Sequence, residues 1–113
     1  MRRVYLNPGA GPQDPRAPRA REGLVEGLVE LVAAVRRAAG PELELVVDPA
    51  NLCMGSDLRW GVRRDDGEID VEATLALLGR AALELAEAGA DGLLTIGRIN
   101  CEVEVVAAAL ARA

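Results

Sequence analysis

Residues 41–91 read PELELVVDPANLCMGSDLRWGVRRDDGEIDVEATLALLGRAALELAEAGAD, and this stretch decides the fold of the chain. The short apolar run at residues 43–47 predicts a β-strand, which ends at Asp48. A polar loop follows, and then the spacing of apolar residues predicts a helix over residues 70–88 that Gly89 stops. The stretch is therefore a strand–loop–helix unit with an acid at the carboxyl end of the strand, where parallel α/β folds build their sites.

On the amino-terminal side, residues 4–6 predict a first strand. Residues 7–20 contain four prolines and two glycines, which predicts a loop or an arm. Residues 21–39 predict a helix that Gly40 ends. The apolar residues that recur at helical spacing there are Leu24, Leu28, Leu31, Val32 and Val35.

On the carboxyl-terminal side, residues 92–96 predict a third strand, and Asn100 is the predicted cap of a last helix. Asp70 is the predicted N-cap of the helix before it. The predicted buried faces of these two helices are Leu75, Leu78, Ala82 and Leu85, and Val103, Val106, Ala107 and Leu110. The pattern β-α-β-α-β-α predicts an α/β fold in which a parallel sheet is joined by right-handed crossovers.

Composition limits the classes of function. The 113 residues form one predicted domain, 1–113, with a net charge of −5, which argues against nucleic acid as a partner. All 13 basic residues are arginine, so no side-chain amine can form a Schiff base, and the absence of histidine removes the commonest general base. Two cysteines are too few for a disulfide scaffold, and no apolar run is long enough to span a membrane. We expect a cytoplasmic protein.

Several short motifs resemble the porphobilinogen synthase (δ-aminolevulinic acid dehydratase) family. The matching residues are Pro41-Glu42-Leu43, Val46-Val47-Asp48, Asp66-Gly67, Glu72-Ala73-Thr74-Leu75 and the AEAGAD of residues 86–91. The resemblance implies three β-α units from an early section of a TIM-type (β/α)8 barrel. A barrel of that kind takes about 250 residues, so a partial barrel of this size cannot close. Its open sheet edges predict either a homo-oligomer joined edge to edge or a small open sandwich with swapped elements.

The chain departs from the family at the positions of its chemistry. The resemblance places the family's metal-binding cysteines at Ala50, Leu52 and Trp60, none of which binds zinc. Cys53 lies one position after the second of them, but a single thiolate does not make a zinc site. The family's Schiff-base lysines have no counterpart, and its serine–aspartate motif after the third strand is replaced by LTIGRINCEV at residues 94–103. We therefore expect no metal and no cofactor.

Three residues remain as candidates for chemistry, namely Asp48, Ser56 and Asp57. The resemblance carries the family's acid to Asp48 and its serine to Ser56, while Asp48 also suits a loop cap. Three arginines are candidates for binding a ligand that bears a carboxylate, namely Arg59, Arg63 and Arg64. The alternative for these three is a charged, solvated loop. Arg98 is a fourth candidate for ligand binding, because the Gly97-Arg98 turn before a capped helix can hold an anion on backbone N–H groups. Cys101 at a helix start is either a thiol of lowered pKa or a passive one.

The resemblance, together with the missing metal ligands, Schiff-base lysines and serine–aspartate motif, predicts a porphobilinogen-synthase-like protein that does not condense 5-aminolevulinate. In this interpretation the chain is a non-catalytic oligomeric scaffold or a regulator that binds a full-length porphobilinogen synthase or a small carboxylic acid. The alternative is an enzyme. It is either a dehydratase-type lyase of tetrapyrrole biosynthesis whose remnant activity a partner chain completes, or an enzyme that has taken up other chemistry around Asp48, Cys53 and Asp57. A functionless expressed remnant is the third hypothesis.

Overall fold

A computed structural model describes residues 2–6, 20–49, 59–95 and 97–113, with the backbone alone for residues 20–24. The described strands are β1 (Arg3–Leu6), β2 (Glu44–Val47) and β3 (Gly92–Leu93). The described helices are α1 (Ala20–Ala39), α2 (Val71–Ala88) and α3 (Glu102–Arg112). The predicted order of strands and helices is confirmed.

The three described strands form a parallel sheet in the order β1-β2-β3. Val4 pairs with Leu45 in the first ladder, and Val47 pairs with Leu93 in the second. Three strand limits differ from the prediction: β1 begins at Arg3, β2 begins at Glu44, and β3 has only two residues. The ladder still continues one residue past β3, since the Leu94 N–H donates to the Val47 carbonyl over 2.9 Å.

One face of the sheet carries the core. Leu45 and Val47 alternate with half-buried residues along β2 and are fully buried, as the period of a strand requires. They pack with Val25, Leu28 and Val32 of α1 and with Ala81 and Leu85 of α2. Both helices therefore cover the same face of the sheet.

Helix α2 begins and ends as the sequence predicts. The Asp70 carboxylate accepts the Ala73 N–H over 2.9 Å, which is an N-cap hydrogen bond. Gly89 has a φ of 120°, a backbone conformation that favours glycine, and its N–H returns to carbonyls of the last turn. Of the predicted buried residues, Leu78, Ala82 and Leu85 are buried, and Leu75 is half-buried.

The predicted faces of the other two helices are wrong in part. In α1, Leu28 and Val32 are buried, but Leu31 is 41% exposed. In α3 the buried face is Glu102, Val106 and Ala109. Val103 is 54% exposed and Ala107 is exposed, because α3 packs against Ala82 of α2 through Val106 and Ala109.

The predicted loop or arm at residues 7–20 lies outside the described residues except for Ala20, with which α1 begins. In the described part of the chain, no helix has the length and apolar character needed to cross a membrane. The structure thus has three β-α units on a parallel, open, three-stranded sheet.

Candidate functional site

Parallel strands bring their carboxyl ends to one edge of the sheet, which we call the carboxyl edge. It comprises Asp48 after β2, residues 59–70 before α2, and residues 97–102 between β3 and α3. Asp48 is half-buried, and its backbone N–H donates to the Leu6 carbonyl over 3.0 Å. The predicted acid is therefore at the end of a central strand, as the sequence indicates.

A tight hairpin lies between Val62 and Asp70. Arg63 and Ile69 form an antiparallel bridge, and the Asp70 N–H donates to the Val62 carbonyl over 2.7 Å. The buried hydroxyl of Thr74 accepts the Val62 N–H over 2.9 Å and donates to the Asp70 carbonyl over 2.7 Å. Thr74 thus attaches the hairpin to the first turn of α2.

Arg63 stabilises this hairpin through hydrogen bonds to backbone carbonyls. One of its terminal nitrogens donates to the Trp60 carbonyl over 2.7 Å, and the other donates to the Gly67 carbonyl over 3.1 Å. Its Nε is buried, and no atom in the described residues accepts its hydrogen. Two of the five donors of the guanidinium are therefore used to hold the loop in shape.

The loops after β2 and β3 meet at Trp60. The Arg98 guanidinium lies over the indole ring, with its central carbon 5.1 Å from the ring centroid, which is a cation–π contact. Trp60 is half-buried, whereas Arg98 is exposed. This contact leaves the charged group of Arg98 accessible to solvent at the carboxyl edge.

The buried side chain of Glu102 stabilises the loop that follows β3. It is 2% exposed, and its carboxylate accepts the backbone N–H of Arg98 over 2.8 Å. The predicted cap Asn100 is wrong: the residue at the cap position is Cys101, with a φ of 69° and no hydrogen bond from its side chain. Because the backbone of Cys101 is in the left-handed conformation, α3 begins one residue later than predicted. The Cys101 thiol is free and exposed.

The remaining predicted site residues divide into two groups. Arg59 is exposed, and one of its terminal nitrogens lies 4.0 Å from where a Cβ on Gly67 would stand, so it approaches the same turn as Arg63. Arg64 forms an exposed ion pair with Asp66 over 3.3 Å. The other candidates, Cys53, Ser56 and Asp57, lie outside the described residues, and their predicted roles stay predictions.

The sequence predicts that the chain binds no metal. In residues 2–6, 20–49, 59–95 and 97–113, no group of three or more histidine, cysteine, aspartate or glutamate side chains could hold a metal ion. Trp60, which the resemblance places at a family metal-ligand position, lies under a guanidinium and has no donor atom for zinc.

The opposite, amino edge of the sheet holds a cluster that sequence reasoning missed. Arg36 donates to the Gly89 carbonyl over 2.7 Å and 3.0 Å, to the Leu43 carbonyl over 2.7 Å and to the Gly40 carbonyl over 3.0 Å, and it forms an ion pair with Asp91. The only sequence signal is an arginine in the last turn of a helix that ends at a glycine.

Asp91 completes this cluster. Its carboxylate accepts the Leu45 N–H over 2.8 Å, while its own N–H donates to the Leu45 carbonyl over 2.8 Å. The Leu45 N–H, and after it Arg36, lower the pKa of Asp91 below its ordinary value, because both stabilise the charged carboxylate. The amino edge is therefore built for stability.

No protein-family model matches this chain, and a search of curated proteins finds no match either.

Proposed function

We propose that this chain is a porphobilinogen-synthase-like protein that does not form porphobilinogen and that binds a small carboxylic acid at the carboxyl edge, as a scaffold or regulator. The observation that carries the proposal is the exposed guanidinium of Arg98 stacked on Trp60, which joins two loops at the edge where α/β folds bind ligands. A planar guanidinium held by an aromatic ring is preorganised to bind a carboxylate through two hydrogen bonds.

We propose that the fold is a fragment of a (β/α)8 barrel. Three features support this: the strands are parallel, they lie in consecutive order, and α1 and α2 cover the same face of the sheet. In such barrels the amino edge serves stability and the carboxyl edge serves function. In this chain the Arg36 cluster lies at the amino edge, and the Trp60–Arg98 contact lies at the carboxyl edge.

The proposed lack of synthase activity rests on the sequence. The resemblance implies that the condensation of 5-aminolevulinate requires a Schiff base to a lysine. The chain contains no lysine, so it has no side chain that could form this Schiff base. The carboxyl edge offers arginines instead, and arginine stays protonated at neutral pH. The exposed Arg98 suits the binding of an acid better than nucleophilic attack on it.

The first test measures porphobilinogen formation from 5-aminolevulinate by the purified chain, with and without zinc or magnesium. We expect a folded protein and no product. Product formation would overturn the non-catalytic part of the proposal, because some residue other than a lysine would then carry the reaction.

The second test measures binding by calorimetry, with 5-aminolevulinate and a panel of small mono- and dicarboxylates as probes. We expect binding that Arg98→Ala or Trp60→Ala abolishes. Arg80→Ala is the matched control, because Arg80 is an exposed arginine on α2 that makes no ion pair in the described part of the chain. Equal loss in the control, or no binding of any probe by the folded protein, contradicts the proposed ligand site.

Regulation of a relative has its own test. A full-length porphobilinogen synthase is assayed with and without the chain at micromolar concentration. A change in its activity that Arg98→Ala removes supports a regulatory role exerted through the carboxyl edge. Unchanged activity and no co-purification would contradict the regulatory role, and only the scaffold role would then remain.

The half-buried position of Asp48 at the end of β2 favours a second candidate function, the partner-completed lyase. Its test is turnover by a mixture of the chain and a full-length relative, repeated with Asp48→Asn and Cys53→Ser. Loss of turnover with unchanged folding would support the lyase, and undiminished turnover in both variants contradicts it.

A further inference from the structure

Both open sides of the sheet expose the same pair of features, an unpaired strand edge and an uncharged helix stripe. In the described residues, β1 and β3 each pair with β2 alone, so each leaves one edge without a partner strand. An open strand edge is a template for pairing with another chain. We call the two sides the β1 flank and the β3 flank and define each by its helix stripe below.

The stripe of the β1 flank runs along α1. It consists of exposed, uncharged residues at every third or fourth position, namely Gly27, Leu31, Ala34 and Ala38. Arg36 contacts Gly89 at the end of α2, and Glu26 lines a small cavity with Arg80 and Glu84 of α2. Leu31 lies about 140° around α1 from Arg36 and from Glu26, at 3.6 residues per turn, so the stripe faces away from α2.

The stripe of the β3 flank runs along α3. It consists of Val103 and Ala107, which are both exposed. Leu110, one turn further along, is half-buried and packs against the cluster of Ala82, Val106 and Ala109. Val105 faces Gly79 of α2, where an added Cβ would lie 3.1 Å from its methyl group. Val103 and Ala107 each lie about 160° around α3 from Val105, at 3.6 residues per turn, so this stripe also faces away from α2.

The contact between α2 and α3 shows how such stripes pack in this fold. Gly79 and Ala82 on α2 meet Val105, Val106 and Ala109 on α3, and leucines pack around them. Beneath this contact, β2 pairs in parallel with β3. Each of the two free stripes combines small residues with one larger apolar residue, Leu31 on α1 and Val103 on α3, and neither contains a charge.

We infer that the occupant of each flank is a second copy of this chain, docked head to tail, so that the β1 flank of one copy meets the β3 flank of the next. The displacement that carries one β-α unit to its neighbour, applied three times in succession to the whole chain, brings β1 of one copy beside β3 of another in parallel. The same displacement brings the Leu31 stripe against the Val103 stripe. A partner of opposite charge is not required, because both stripes are uncharged.

The exposed apolar residues of the two flanks agree with this arrangement. Val4 lies on the helix-bearing face of β1, opposite buried Leu45, yet it is 39% exposed, because the described structure has no helix beyond α1 to cover it. In the head-to-tail contact, α3 of the neighbouring copy supplies that cover. Such a contact is heterologous, so each added copy leaves one flank of each kind free, and assembly continues until a ring closes or a filament forms. This inference rests on the scaffold role proposed above and names the interface of that scaffold.

Sedimentation velocity over a range of concentrations tests the inference with the full chain. We expect the average size of the wild-type assembly to rise with concentration. Leu31→Glu and Val103→Glu each place a charge in one stripe, and each variant alone is expected to sediment as a monomer. Val71→Glu is the matched control, since Val71 is 45% exposed on α2, outside both stripes, and this variant is expected to associate as the wild type does.

The decisive sample is an equimolar mixture of Leu31→Glu and Val103→Glu. One intact flank remains on each variant, so a head-to-tail contact predicts a dimer that grows no further. A mixture that stays monomeric overturns the inference, as does association of either variant alone, which would indicate a two-fold contact through one flank. Circular dichroism checks folding, and Leu31→Ser with Val103→Ser repeats the test if a glutamate variant unfolds.

The outcomes separate this inference from the scaffold role. A wild-type chain that is monomeric at all concentrations overturns both. A wild-type assembly that none of the stripe variants changes overturns the head-to-tail interface and leaves a scaffold with another interface.

Discussion

The two edges of the sheet use arginine in opposite ways. At the amino edge, the Arg36 side chain is 20% exposed, and three backbone carbonyls and the Asp91 carboxylate accept its hydrogens. At the carboxyl edge, Arg98 is exposed and contacts the face of an aromatic ring. The first arginine fixes three chain segments, whereas the second keeps its donors toward solvent. The difference supports the proposal that the amino edge stabilises the fold and the carboxyl edge binds a ligand.

The largest expected effect comes from removing Arg36. Arg36→Met keeps the aliphatic stem against Gly89 but leaves the Gly40, Leu43 and Gly89 carbonyls and Asp91 without their donor. We expect the free energy of unfolding to fall by about 3 kcal/mol, because hydrogen bonds from a charged group are stronger than neutral ones. Urea denaturation measures it.

Arg37→Met is the matched control for this prediction, because Arg37 is an exposed neighbour in the same helical turn. We expect a change within about 0.5 kcal/mol, as for an ordinary surface substitution. Equal losses in the two variants would show that the Arg36 cluster does not stabilise the amino edge.

The second effect concerns the hairpin of the carboxyl edge. Thr74→Val removes the acceptor of the Val62 N–H within a fully buried site. We expect a loss of about 1–2 kcal/mol, the cost of an unsatisfied buried donor. Thr74→Ser keeps the hydroxyl and should restore the protection of the Val62 N–H in amide hydrogen exchange. If that amide is equally protected in Thr74→Val, the hydroxyl is not what holds the hairpin.

The third effect is a pH dependence at the amino edge. The pKa of Asp91 is lowered in the folded state by the Leu45 N–H and by Arg36. The associated stability is therefore fully present above the unfolded-state pKa of about 4 and is lost as the pH falls through the lower folded-state pKa. Melting temperatures of the wild type and Asp91→Asn, measured against pH, should converge in acid. Curves that stay parallel would contradict the assignment to Asp91.

The smallest expected effect on stability is that of Arg98→Ala. An exposed cation–π contact contributes about 0.5–1 kcal/mol, so unfolding changes little. Trp60 is the only tryptophan, which makes its fluorescence a direct reporter of the loss of the guanidinium. Arg98→Lys keeps the charge without the planar group and should give an intermediate spectrum. An unchanged spectrum in Arg98→Ala would show that the two side chains do not stack in solution.

Local features of the fold were predictable because their causes are local. Asp70 and Gly89 limit α2 through hydrogen bonds and a backbone conformation within a few residues of each. Leu45 and Val47 are buried as an apolar strand predicts. At the carboxyl edge, the position of Asp48 followed from the end of β2, but the Trp60–Arg98 contact joins residues 38 positions apart and has no local signal.

The sequence by itself determined the order of strands and helices, the ends of α2 and the absence of lysine chemistry. Only the tertiary structure decided which side of α3 is buried, because Val103 and Val106 are equally apolar and only Val106 meets Ala82 of α2. It also decided the role of Arg36, whose partners lie as far away as Asp91. Periodicity and capping act within a helical turn, whereas the choice among several apolar or charged residues depends on the element that packs against them.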